Sequence, residues 1–427
     1  MQFPFRSLIL PALCLAQLQA QLPAADSLPK ILRPTQIAPP LATEARPIAT
    51  IEISLAQNAA RTLPVPAHFP WAEKDAGTPL QLLEVTPGSF ASNRPVPAQY
   101  EADPAHPGQG RLWWMLAPSK QTDRRFRVLK GKSTPTPALV IAAGDRPDTY
   151  DIRDGRQPVL RYNHGTVPVP EGVGTNYARG DYIMPLFGPA GEMLTDDYPK
   201  DHPHHRGLGW SWPVTRWKDE VRDIWAVVGV WARPVAIARK EAGPVFALLE
   251  AENVWKWSDT TNIVKEEVRL QVFHAMAGQR WIEITVRLTG LVDGVAIGGR
   301  PHGGYGGFGL RAQPAKERVI TRFTDPAGTE PRRAWLDYSG LFGAAAAPAG
   351  LAIFEHPENP LYPSELKEYP ELNYVMPAFP GEREVPLPPG QPLVLRHLVW
   401  IHPGMATPDQ LGEIWTAYAE PPQAHSR

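Results

Sequence analysis

"RWIEITVRLTGL", residues 280–291, alternates with a period of two. Ile282, Ile284, Val286 and Leu288 fall on one side, and Glu283, Thr285 and Arg287 on the other. Successive side chains leave opposite faces of a strand, so this pattern is that of a strand buried on one face. "VRLQVF", residues 268–273, repeats it, with Val268, Leu270 and Val272 against Arg269 and Gln271. Consecutive strands of this kind predict antiparallel sheets with one packed face. The expected fold class is all-β, in antiparallel sheets with the longest strands within residues 262–290.

The rest of the chain supports that class. Fifty of the 427 residues are proline, which interrupts helices and central strands. "TIEISL" (50–55), "RLWWML" (111–116) and "RRFRVL" (124–129) read as further strands. "TYDIRDGRQPVLRYNHG" (149–165) reads as a hairpin, with Asp154-Gly155 supplying the turn. "DIWAVVGVWA" (223–232) is apolar almost throughout and reads as a strand buried on both faces. The clearest helix signal is "TPDQLGEIWTAYAE" (407–420). Thr407 stands as N-cap, Pro408 at the first position, Gln410 completes a capping box, and Leu411, Ile414, Trp415 and Tyr418 form one stripe.

At the N-terminus, Arg6 precedes an apolar run over residues 8–16, and small Ala20 follows. This is a secretory signal pattern, too short to span a bilayer, so the expected localisation is secreted or periplasmic. The single cysteine, Cys14, lies inside it. The expected organisation is a signal peptide (1–20), a proline-rich linker or disordered lead-in (21–49), a small β domain (50–132) and a β-sandwich domain (138–420), with a short linker between the last two. A net charge of −1 gives no nucleic-acid footprint, and no later segment is long and apolar enough for membrane insertion. Oligomeric state is not legible.

The candidate chemistry concentrates in "DHPHHRGLGW", residues 201–210, with three histidines in four positions. Pro203, Gly207 and Gly209 exclude a helix. In an extended chain His202 and His204 share a face and His205 points away. Such imidazoles can act as acid and base or chelate a metal, and Arg206 suits a carboxylate or oxyanion. Asp201 precedes them. "RYNHGTVPVPEGVGTNYARGDYIMPLFGPAGE" (161–192) carries Arg161, Asn163, His164, Asp181 and Tyr182. "GGRPHGGYGGFGLR" (298–311) sets Arg300, His302 and Tyr305 among seven glycines. "AIFEHPENPLYP" (352–363) offers Glu355, His356 and Asn359 at a strand end. Trp210 and Trp212 follow the histidines and can stack on sugar rings.

The stretches "NHGTVPVPEGVGTNYARGDYIMPLFGPAGE", "DHPHHRGLGWSW" and "LAIFEHPENP" resemble the PmoA-like family of secreted bacterial proteins, a domain of unknown function, over roughly residues 140–405. The methane-oxygenase label attached to that family does not suit a chain without membrane segments. The resemblance implies a saccharide-related role and a sandwich similar to the galactose-mutarotase supersandwich.

Three functions remain open. A carbohydrate-active enzyme (lyase, epimerase or hydrolase) would act on glycosides or on uronate or keto-sugars. It would use His202, His204, His205 or His302 as acid or base, with Asp201, Glu355 or His356 as partners and Arg206 stabilising negative charge. Substrate contacts would come from Arg161, Asn163, His164, Asp181, Tyr182, Trp210, Trp212, Arg300, Tyr305 and Asn359. A glycan-binding protein would use the same residues without turnover. A metal oxidoreductase would use His202, His204 and His302 as ligands to a divalent metal; otherwise no cofactor is expected. The partner in the first two cases is a small molecule or oligosaccharide.

Overall fold

The computed structural model describes residues 48–54, 62–72, 80–85, 94–121, 123–130 and 138–426. The signal peptide, the lead-in up to residue 47 and the linker at 131–137 lie outside the described residues. Arg46–Arg427 make one compact unit.

The architecture is an all-β sandwich of antiparallel sheets with one α-helix, Pro408–Ala419, among the described residues. One eight-stranded sheet runs in the order Glu365–Tyr369, Tyr374–Ala378, Gly307–Arg311, Leu208–Ser211, Tyr182–Leu186, Gln157–Asn163, Thr149–Asp154, Leu139–Ala143. The other runs Val230–Ala242, Phe246–Trp257, Thr261–Phe273, Arg280–Gly290, Leu393–Pro403, Ala349–Glu355, Ala334–Phe342, Ala315–Thr324. We refer to these as the first and second sheets.

The alternation in residues 280–291 sets how they pack. Ile282, Ile284, Val286 and Leu288 are buried among Val268, Leu270, Leu208, Phe308 and Leu310, which fill the space between the two sheets. The opposite face of the second sheet is also covered. Phe246, Phe273, Trp281, Phe354, Leu398 and Trp400 pack there with Ile51, Trp114 and Phe126 of the N-terminal strands and with Leu411, Ile414 and Trp415 of the helix. That helix carries the capping box read from Thr407 and Gln410. The hairpin at 149–163 forms with Gln157 opposite Asp154 and Gly155 at φ +58°.

Two expectations are corrected. Thr261–Phe273 is one of the longest strands, but Val230–Ala242 matches its 13 residues and lies outside 262–290. "DIWAVVGVWA" is not a doubly buried strand. Asp223 to Val228 close a tight loop through a single bridge, Asp223 Oδ1 accepts from the Ala226 N–H, and Val227 and Gly229 take φ of +60° and +76°. Ile224, Trp225 and Val227 are buried because they anchor a loop to the sandwich, while Val228 is exposed. The strand starting at Val230 is a sheet edge.

Ile284 lies at the centre of the packed face and is fully buried. Ile284→Ala should lower the unfolding free energy by about 2–5 kcal/mol in denaturant titration, the range for emptying a core aliphatic site. A change below about 1 kcal/mol would mean that this face is not the core.

Candidate functional site

The strand Leu208–Ser211 lies in the middle of the first sheet, and the histidine segment leads into it. Gly207 enters the strand at φ +42°, where a Cβ would lie 2.2 Å from the Ile183 carbonyl oxygen, so no other residue fits. Gly309, on the neighbouring strand, leaves the space taken by the Tyr374 ring; a Cβ there would lie 2.1 Å from the Tyr374 hydroxyl. These two glycines let the chain bring the histidine turn and Tyr374 together over the sheet.

The histidine segment is not extended. His205 N–H donates to the His202 carbonyl at 2.9 Å, closing a turn with Pro203 at its second position. The three imidazoles therefore do not alternate between faces. They pack on each other, His202 stacked on His205 at 4.7 Å and 15°, and His204 edge-on to His205 at 4.7 Å. His204 also stacks on Tyr177, and His205 packs against Tyr374 and Trp225.

These rings border a narrow cleft of about 20 Å³, lined by Arg179, Tyr182, His204, His205, Arg206, Trp225 and Tyr374 among others; as it stands it has room for little more than a water. Arg206 is fixed by Asp197 and by the Tyr182 hydroxyl, and lies 3.5 Å over the Tyr198 ring. Arg311 holds Asp201 through two hydrogen bonds, and Asp201 also meets His202 Nδ1 at 3.2 Å. Desolvation pushes the Asp201 carboxyl up, but the bonds from Arg311 and His202 outweigh it and bring it to about 2. Arg179 is the exception. It is 9% exposed, its Nε has no partner, and its guanidinium donates only a long 3.4 Å bond to the Trp225 carbonyl. Among the described residues no carboxylate pairs with it.

Burial shapes the titration of the rings. His204 is pushed down to about 4, by desolvation first and then by His202 and Arg179. His205 is pushed down to about 2 by desolvation and then by His204 and His202. Both are neutral at ordinary pH. Tyr182 and Tyr374 are raised by desolvation and stay protonated.

The residues expected from sequence divide. Asp201, His202, His204, His205, Arg206 and Tyr182 gather at the cleft. Arg300 and Tyr305 reach its rim, where Tyr305 packs on Trp225 and Arg300 lies 3.6 Å from Asp223. His302 sits exposed at the tip of that turn, at φ +57°, outside the lining. Arg161 is tied to Asp151 and Asp145. Asn163 donates to the Met184 carbonyl, and His164 Nε2 meets the Glu252 carbonyl at 3.0 Å; both are buried ties between strands. Trp212 is buried in the core with its N–H on the Phe379 carbonyl, and Trp210 is 3% exposed with its N–H on Asp181 and Glu266, so neither offers a face to a sugar. Glu355 accepts from Ser364, Asn359 ties the Arg396 backbone, and His356 packs edge-on to Tyr418 of the helix. The segment 355–359 does not join the cleft. It is a loop fastener, because its polar atoms are consumed by backbone groups.

The metal set is not assembled. His202 and His204 lie edge-on with ring centroids 5.6 Å apart, and His302 is exposed at the tip of its own turn, away from both. Among the described residues no three His, Cys, Asp or Glu side chains are placed to hold an ion. Sequence reading missed Arg179, Trp225, Arg311 and Tyr374. Arg179, in "NYARGD", Arg311, the last residue of "GGRPHGGYGGFGLR", and Trp225, in "DIWAVVGVWA", sat inside segments already singled out; Tyr374 did not.

A family model described as "Family of unknown function (DUF6807)" matches residues 149–416. No curated protein matches the chain in sequence. Among solved structures the chain is similar to an alpha-mannosidase from Enterococcus faecalis V583, at 11% identity and a TM-score of 0.33, over 89% of this chain and 46% of that one. The chain thus spans about half the length of that protein, and a likeness of this degree carries no functional argument. None of these comparisons shows a PmoA-like assignment. No helix of the described residues is long and apolar enough to cross a membrane.

The depressed histidines predict acid sensitivity. Their folded values lie below the ordinary 6.5, so the unfolded chain binds the extra protons. The stability they contribute is complete above pH 6.5 and is lost as pH falls towards 4, and for His205 towards 2. Between pH 6 and 4 the unfolding free energy of His205→Gln should fall less steeply than that of the wild type, by about one proton. Equal slopes would show that His205 is solvated.

Proposed function

The chain belongs to the DUF6807 family, whose function is unknown, and from that premise we propose that it acts on carboxylate-bearing saccharides by histidine-based proton abstraction. The observation that carries this reading is Arg179, a buried guanidinium facing neutral imidazoles with no carboxylate against it. A cation removed from water without a contacting counter-ion is suited to an anionic ligand.

The residues can divide the chemistry. His204 takes the proton from the carbon next to the substrate carboxylate. The electron pair moves onto that carboxylate as an enolate, and its growing charge meets Arg179. Tyr374, a protonated phenol, then gives its proton either back to the carbon from the other side, which is epimerisation, or to the leaving glycosidic oxygen as its bond to the β-carbon breaks, which is elimination. The half-buried aromatic faces of Tyr177 and Tyr305 favour a sugar ring as the carrier of the carboxylate. Glycoside hydrolysis usually takes two carboxylates flanking the bond, and no carboxylate lines this cleft. The signal pattern at the N-terminus fits a secreted or periplasmic role, where such saccharides are met.

The test uses uronate-containing oligosaccharides in D2O, followed by mass spectrometry for deuterium next to the carboxylate or for an unsaturated product. His204→Ala should cut turnover at least ~10²-fold with little change in melting temperature. Arg179→Gln should raise KM as well as lower kcat. Binding without exchange or product would make the protein a sugar-acid-binding module. Full activity in His204→Ala would overturn the assignment.

A further inference from the structure

Two acids are buried between the two sheets, near Arg179. Asp181 and Glu266 are 2% and 0% exposed. Tyr162 donates to Asp181 at 2.7 Å and Asn253 at 3.0 Å; Trp255 donates to Glu266 at 2.6 Å. The Trp210 indole N–H serves both, at 3.1 Å to Asp181 and 2.5 Å to Glu266. One N–H reaching two carboxyl groups sets them no farther apart than those two distances combined. Every one of these donors is neutral, and among the described residues no cation touches either acid.

Two carboxylates this close and this dry cannot both ionise. The groups facing the pair are few: the Arg179 guanidinium and, from the turn after Gln157–Asn163, the His164 ring, whose Nε2 meets the Glu252 carbonyl. Arg179 feels both acids through space, with Asp181 two residues along the chain. Charge around the pair balances at one guanidinium, two acids and one proton. We propose that Asp181 and Glu266 share a single proton, and that the one negative charge left on the pair is the counter-ion of Arg179, setting how strongly Arg179 holds an anion in the cleft. This rests on the reading of Arg179 as the anion-holding residue. The pair touches no substrate: it positions and tunes Arg179 across the sheet.

The consequence is unusual for buried acids. Turning either one into its amide removes the shared proton and keeps the charge. Turning both removes the charge and leaves Arg179 uncompensated.

Sulfate is a suitable probe, because its charge is constant over the working pH range. By calorimetry at pH 7, Arg179→Gln should lose sulfate affinity at least tenfold; unchanged affinity there would defeat the underlying reading of the cleft. Asp181→Asn and Glu266→Gln should each stay within about twofold of the wild type. The double variant Asp181→Asn/Glu266→Gln should bind sulfate at least about fivefold more tightly, the size expected for removing one charge at short range in a protein interior. Loss of sulfate binding in Arg179→Gln together with unchanged or weaker affinity in the double variant overturns the proposal while leaving the anion site intact. If the double variant does not fold, infrared spectroscopy decides. The wild type should show the C=O stretch of a protonated carboxylic acid that disappears in each single variant. A difference spectrum without that band overturns the proposal.

Discussion

A guanidinium taken out of water has to be answered within reach, and Arg179 is the charge around which this half of the molecule is arranged. It sits at the junction of the first sheet, the Asp223 to Val228 loop and the histidine turn, and lines the cleft. Its neighbours are neutral by construction. Burial keeps His204 and His205 unprotonated and Tyr182 and Tyr374 protonated. The remaining cations are spoken for, Arg206 by Asp197 and Arg311 by Asp201. Arg179 is thus the one cation of the group that no carboxylate touches. Protonating His204 would add a like charge beside it, which is part of why it is so weak a base.

The division between what could and could not be read in the sequence follows from range. Period-two patterning reports a local geometric fact, so residues 268–273 and 280–291 named their strands and their buried faces. Apolarity alone reports burial and not backbone. Ile224, Val227 and Val230 are buried as expected, yet the first two belong to a loop, and Gly229 was the local sign of the turn. The histidine segment was recognisable by composition, but its shape was set by Pro203, which bends the segment so that the rings meet. Glu355, His356 and Asn359 have the residue types of a site. Only the structure shows that Ser364, Arg396 and Tyr418 already occupy them. Arg179 was invisible for the converse reason: an arginine in a loop reads as a solvated charge, and its burial is decided by strands far away in sequence.

An imidazole whose conjugate acid is held near 4 is a feeble base by itself, and this bears on what the cleft can select. An uncharged sugar bound beside His204 would leave that weakness in place. A carboxylate bound at Arg179 changes it twice. It cancels one of the positive charges that depress His204, and it adds a negative charge that stabilises the imidazolium formed on proton transfer. The ligand's own charge would then raise the basicity of the residue that attacks it. Recognition and activation become one electrostatic event, and discrimination against neutral sugars needs no steric filter. The same reasoning explains why no carboxylate belongs in the lining. In the proposed reaction a protein carboxylate in contact with Arg179 would activate His204 permanently and compete with the ligand for that guanidinium.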